Sequence, residues 1–534
     1  MKTHTWSRIG RRQLLGPWLA TGLIVLSLQP PARSDLVYFA KGGELQIPAE
    51  TKAGVVRLEA PNRSYEFLPS DFRKIIPGYW PAQEWPTRRA KALGGRADDR
   101  FRALWWALEN GLTPEAVALL RESHRLDPTH PPTTRLAAAL AKLDKPCSET
   151  LPDLARLKSG LGDHYDVTQG PHIVLLHQHP AAEAEERVDL LERVTTTYYL
   201  MLAGQGIELP VPPRRMASAW FAHHNDYTTF LHSEHADVFR TTRGYFHPTL
   251  NAVIAYDGRN SGTQKTSRES FGIRTGELRR LEQAIESLPN GARLRCEIRG
   301  EPTRTLSRTQ ASKLHDDLER DLLRRELLLD QEWRAVDFGV AAHEMVHQLV
   351  AASGLAPRHN AFPIWLHEGF AAQFEVIRGG RWAGVGRAHD IRMDDWRKLT
   401  TPPLLLPLLR DSGFGQGYQP SSYAKAWALV YYLRLEHPHE FISFLDLLRL
   451  PPDPTPLPDG RIVSSFRSAF GPDLDITARA WQEYMAKVQT PLEEGEKTPE
   501  PRPAENPVNV RRLTAPTSPC RTFSKLFDNP CRSG

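Results

Sequence analysis

Val336-Asp337-Phe338-Gly339-Val340-Ala341-Ala342-His343-Glu344-Met345-Val346-His347-Gln348-Leu349-Val350 is the stretch whose reading decides the fold. It is an apolar run at helical spacing, ended by Gly354 and Pro357. His343 and His347 are one turn apart, which brings two imidazoles to one face with Cβ atoms roughly 5 to 6 Å apart. Both then reach a single zinc ion at about 2.0 to 2.1 Å. Glu344 is rotated about 100° from His343, so it lies beside such an ion, placed to take a proton from water. The bland alternative is a partly exposed helix whose histidines are satisfied by hydrogen bonds. Against it stands the cost of burying two imidazoles and a carboxylate among Val, Ala, Met and Leu without compensation.

Downstream, Pro363-Ile364-Trp365-Leu366-His367-Glu368-Gly369-Phe370-Ala371-Ala372-Gln373-Phe374 starts a second helix, stopped by Gly379-Gly380. HExxH followed by W-L-x-E-G-x-A resembles the gluzincin metallopeptidases, the thermolysin-like and aminopeptidase-like branch. The resemblance implies an α+β, zincin-like domain in which Glu368, separated from His347 by 20 intervening residues, is the third zinc ligand. His367 stands where those enzymes usually have Asn. The alternative for Glu368 is a surface carboxylate favoured in a helix's first turn by the dipole. A metzincin pattern would need glycine at Val350 and histidine at Ser353, so that branch is excluded.

A later run, Tyr423-Ala424-Lys425-Ala426-Trp427-Ala428-Leu429-Val430-Tyr431-Tyr432-Leu433, completes a likeness over about 170 to 450 to an uncharacterised family of exported bacterial proteins, the domain of unknown function 1570 family. The gluzincin resemblance places a tyrosine hydroxyl at Tyr423, over the reacting carbonyl, as an oxyanion donor. Tyr423, Trp427 and Tyr431, spaced four apart, equally describe a packed helix face. Ile173–Leu176 and Ala219–Ala222 read as strands, and Ala181–Ala203 as a helix. Gly244–Phe246 and Ala252–Tyr256 read as a hairpin, with Ala252–Tyr256 the edge along which an extended peptide pairs by strand addition.

The remaining chain frames this centre. A length of 534 residues exceeds what one core usually organises and suggests several units. Residues 1–34 carry Lys2, Arg8, Arg11, Arg12 and Arg33, an apolar run Leu14–Leu28 and Ala32-Arg33-Ser34, and read as an export signal cleaved near Ser34. Arg11-Arg12 before Gln13-Leu14-Leu15 resembles a twin-arginine signal, which suits a protein exported folded to the periplasm, cell envelope or exterior. A membrane is a partner only if this segment stays uncleaved. Those five basic groups account for the whole net charge of +5, and a balanced remainder gives no reason to expect nucleic acid as a partner.

Residues 35–80 read as a small β unit and 81–147 as a tetratricopeptide-like helical hairpin, a packing accessory because an array needs about three repeats. Residues 148–487 form the peptidase-like domain, with a densely charged insertion at about 262–333 that contains a helical run Ser307–Gln331 and reads as a solvated face. Residues 488–534 are a Pro-rich tail without periodicity. Four cysteines make no disulfide framework; Cys520 and Cys531 suit a small tail loop, while Cys147 and Cys296 read equally as buried and free.

The expected function is an exported hydrolase with one Zn2+ ion, cleaving peptide or protein substrates with Glu344 as base. A second reading is a zinc-containing binding protein whose catalysis has lapsed. A purely structural zinc site, however, has no use for Glu344 and normally fills all four positions with protein ligands.

Overall fold

The computed structural model describes residues 35–490 and 493, apart from 61–62, 77–80, 148–151, 162–163, 261, 357–361, 415–418 and 450–456. The export signal, Cys520, Cys531 and nearly all of the tail lie outside the described residues. Among the described residues no helix is long and apolar enough to cross a membrane. Cys147 and Cys296 are free and buried.

The alternation in residues 36–75 produces two three-stranded sheets. One pairs β1 (Asp35–Phe39), β2 (Glu44–Ile47) and β6 (Phe72–Ile76) in the order β2-β1-β6; the other is β3 (Ala49–Lys52), β4 (Val55–Glu59) and β5 (Ser64–Phe67). Their inward residues Val37, Phe39, Leu58 and Phe67 share a core with Leu327 of the charged segment, so this unit is anchored on the insertion. Ion pairs Arg63–Glu326 and Arg320–Asp71 fringe the contact.

Four helices follow, twice the two of the hairpin expected over 81–147: α1 (Pro81–Leu93), α2 (Ala97–Glu109), α3 (Thr113–Leu126) and α4 (Pro131–Leu143). Their apolar faces, including Leu104, Leu119 and Leu136, join the same core as Ala342, Met345 and Trp427. Gly386 N–H donates to Glu109 O at 2.9 Å, tying the end of α2 to the segment that follows α10.

Next come α5 (Pro152–Leu161), β7 (Asp166–Gln169), β8 (Ile173–His177), α6 (Ala181–Gly204), β9 (Met216–Phe221), α7 (His224–Ser233), β10 (Gly244–His247) and β11 (Ala252–Tyr256). The sheet runs β10-β11-β9-β8-β7, with β8, β9 and β11 parallel and both outer strands antiparallel. All five residues of β11 are buried, as expected for a strand covered on both faces. This corrects one expectation: Ala252–Tyr256 is not an edge. The turn after β10, with Asn251 at φ +48, folds β10 back onto β11 and takes up its outer ladder, leaving β10 as the edge.

The insertion comprises α8 (Gly262–Glu286), the hairpin β12 (Arg293–Cys296) with β13 (Arg304–Ser307), and the start of α9 (Arg308–Ala352). It is more than a solvated face, because Leu278, Leu281, Ile285, Cys296, Ile298 and Leu318 form a small core of their own. The charged run and the HExxH run are one 45-residue helix. Ser307 caps it, accepting from Gln310 N–H at 3.4 Å while Gln310 Oε1 accepts from Ser307 N–H at 3.0 Å.

The remainder is mainly helical: α10 (Ile364–Ala371), the short pair β14 (Ile377–Arg378) and β15 (Arg381–Trp382), α11 (Asp390–Arg397), α12 (Leu405–Leu409), α13 (Pro420–Glu436), α14 (Pro438–Arg449), α15 (Asp459–Phe470) and α16 (Leu474–Lys487). The architecture is mixed α and β with small sheets and a helical majority, in agreement with an α+β expectation.

Candidate metal centre

The last four turns of α9 run through the core, and Gln348 fixes their orientation. Its Nε2 donates to Ala217 O on β9 at 3.0 Å and to Asn251 O in the β10–β11 turn at 2.5 Å. On this helix His343, Glu344 and His347 are 5 to 7% exposed, withdrawn from bulk water.

α10 supplies the third side chain, and two features set where it lies. Asp411, in a left-handed conformation at φ +53, accepts the N–H groups of Ile364 and Trp365 at 2.9 and 2.8 Å. It thereby satisfies the helix's exposed donors from another element. Gly369 lets α10 settle on α13: a Cβ there would collide with Ala426 O. Gln373 Nε2 completes the seam by donating to Trp427 O at 3.1 Å.

These constraints bring Glu368 to the two histidines. His343 Nε2 is 3.1 Å from Glu368 Oε2 and 3.1 Å from His347 Nε2, and His347 Nε2 is 3.7 Å from Glu368 Oε1. One ligand atom from each residue lies within 4.8 Å of the other two. A second group, His315, Asp316 and Glu319, meets the same distance test on an exposed turn of α9, where acidic clusters are common without an ion.

Behind His343 is a residue that sequence reasoning missed. Glu375 Oε2 meets His343 Nδ1 at 2.9 Å, while Glu375 Oε1 takes His389 Nε2 at 3.1 Å and Arg392 Nε at 2.8 Å. The carboxylate accepts from His343 Nδ1 and so aims Nε2 toward Glu368 and His347. Gly339, one turn before His343, makes room, since its Cβ position is 3.0 Å from Glu375 O. The only sequence signal was a carboxylate between two apolar neighbours, Phe374 and Val376.

The electrostatics suit a cation. Burial opposes charge on His343, yet the carboxylates of Glu368 and Glu375 lift its imidazole to about 10. Glu368 is held well below the usual carboxylate range by His347 and His343 despite its burial. Glu375 is likewise held low, burial being outweighed by Arg392, His343 and His389. Two ionised carboxylates therefore flank a pair of imidazole nitrogens facing each other at 3.1 Å. Lone pairs so placed repel unless a proton or a metal ion lies between them. Two imidazole nitrogens and one carboxylate oxygen are also a common donor set for a catalytic zinc, so the residues fit that ion.

Glu344 lies outside this ligand set. Burial pushes its carboxyl up, opposed by His343, His347 and the backbone N–H of Phe246 on β10. Tyr423 is buried in the main core, its ring edge-on to Phe414 at 5.5 Å and 5.4 Å from the guanidinium carbon of Arg392, the partner of Glu375. His367 is half-buried and lies flat against His347. Burial, followed by the charge of His347, lowers its imidazole to about 3.

Fold and site together define an α+β protein with a buried two-histidine, one-glutamate cluster presented by two helices. Residues 338–452, from α9 to just past α14, match a family model described as Protein of unknown function (DUF1570). No curated protein and no solved structure matches the chain.

Proposed function

We propose that this chain is an exported zinc-dependent peptidase of gluzincin type, built on a zincin-like domain with tetratricopeptide-like helices packed behind it. The observation that carries the reading is the convergence of His343, His347 and Glu368 on one point, with a separate buried carboxylate, Glu344, on the same helical turn. Zinc held there would supply a Lewis acid and an acidified water. The roles of the chain's own residues follow from their positions. With the ion bound, His343 and His347 would each offer it one ring nitrogen, giving up any proton held there, His343 being oriented by Glu375. Glu344 accepts a proton from the attacking water and passes it to the leaving amine. The outer strand β10, whose Phe246 N–H donates to Glu344, is placed to align an extended peptide.

The test pairs a panel of unfolded proteins and peptides with zinc analysis of each protein. Wild type should cleave in a chelator-sensitive manner, while Glu344→Gln keeps its zinc and loses turnover. Undiminished turnover in Glu344→Gln would rule out its role as base. Chelator-indifferent silence of the zinc-loaded wild type across the panel would favour the binding-protein reading.

A further inference from the structure

His367 takes no part in the ligand cluster, although it immediately precedes Glu368. Its ring lies on that of His347 with centroids 4.1 Å apart and planes 5° from parallel. His347 in turn meets His343 edge-on at 4.7 Å. The stack fixes His367 as a wall beside the ligands, and the N-terminal turn of α10 holds it there through Asp411.

The state of its ring nitrogens is informative. Nδ1 of His347 and Nδ1 of His389 are sealed from water without a partner, as befits interior packing. Among the described residues His367 also has no hydrogen-bond partner, yet neither of its nitrogens is sealed, and the residue is only half-buried. A neutral imidazole carries one N–H and one lone pair. Here both are immobilised by stacking and unspent on the described residues, in a ring that stays partly exposed beside the cluster. Interior packing would require neither property, whereas a preorganised donor aimed at developing charge requires both.

We propose that His367 is a substrate-contacting residue, donating a ring N–H to the oxygen of the scissile carbonyl as negative charge develops there. The inference rests on the zinc-hydrolase reading of the site. No proton leaves His367 in this step. The water's proton goes to Glu344, and the carbonyl oxygen only accepts the hydrogen bond.

The test compares zinc-loaded wild type, His367→Phe and His367→Asn. His367→Phe keeps a flat ring against His347 and removes the donor; His367→Asn gives up the ring and restores an N–H. Three quantities are read: zinc per chain, acetohydroxamate affinity by calorimetry, and kcat with KM for a peptide that wild type cleaves. All three proteins should hold one zinc. His367→Phe should bind acetohydroxamate about 10-fold to 100-fold more weakly and lose roughly 10²-fold to 10³-fold in kcat with KM little changed. His367→Asn should recover part of both. If zinc is held and His367→Phe equals wild type in both affinity and kcat, the ring only packs and the inference fails alone. If wild type holds no zinc, the metal reading fails and takes the inference with it.

Discussion

Glu375 shows how much of the candidate centre lies outside the three clustered side chains. It is 32 residues from His343 in sequence, beyond the end of α10, and spacing gives no hint that the two meet. His343, Glu344, His347 and Glu368 were legible because helical periodicity turns sequence distance into position on a face. Glu375, His389 and Arg392 reach the site through loop paths and packing, for which no local period exists. Glu375→Gln should keep the fold but weaken zinc binding about 10-fold to 100-fold, through a poorly oriented and less basic His343. Competition with a chromophoric chelator measures this, and unchanged affinity would remove Glu375 from the account. His347→Ala should bind no stoichiometric zinc by elemental analysis, since it deletes a ligand outright.

At the scale of elements, the sequence separated what the structure joins. The charged run Ser307–Gln331 and the apolar run from Val336 differ in composition because one half of α9 runs over the insertion and the other through the core. Pattern reading registers that change of surroundings as a boundary, although the backbone continues unbroken. The hairpin of β10 and β11 was legible from its turn, whereas strand order was not: which strand lies outermost depends on the parallel pairing of β11 with β9, 35 residues away at each matched pair. The seam between α10 and α13 is where Gly369 acts. Gly369→Ala should destabilise the protein by about 1 to 3 kcal/mol by forcing α10 off α13. It should also weaken zinc binding because Glu368 moves with the helix. Chemical denaturation and zinc titration read the two effects, and full stability with native affinity would show that the seam yields at no cost.

Over the whole molecule, one core holds α1–α4 together with α6, the half of α9 that carries His343 and His347, α10 and α13. The amphipathic spacing of α2 and α3 made one helical hairpin legible, but not α1 and α4 beside it, nor the continuity of their core with the site, which depends on long-range contacts alone. Zinc bound within such a core stabilises the folded chain by mass action, about 2.7 kcal/mol at free zinc a hundredfold above its Kd. Chelation should therefore lower the Tm of wild type by several degrees and leave His347→Ala unchanged; an equal shift in both proteins would mean that zinc acts elsewhere. The most direct test of the centre itself is X-ray absorption at the zinc edge of the loaded protein. The account predicts a four- or five-coordinate nitrogen and oxygen shell at about 2.0 to 2.2 Å with the outer-shell scattering of two imidazoles, lost in His347→Ala. An oxygen-only shell without imidazole scattering, or a spectrum indifferent to that substitution, would contradict it.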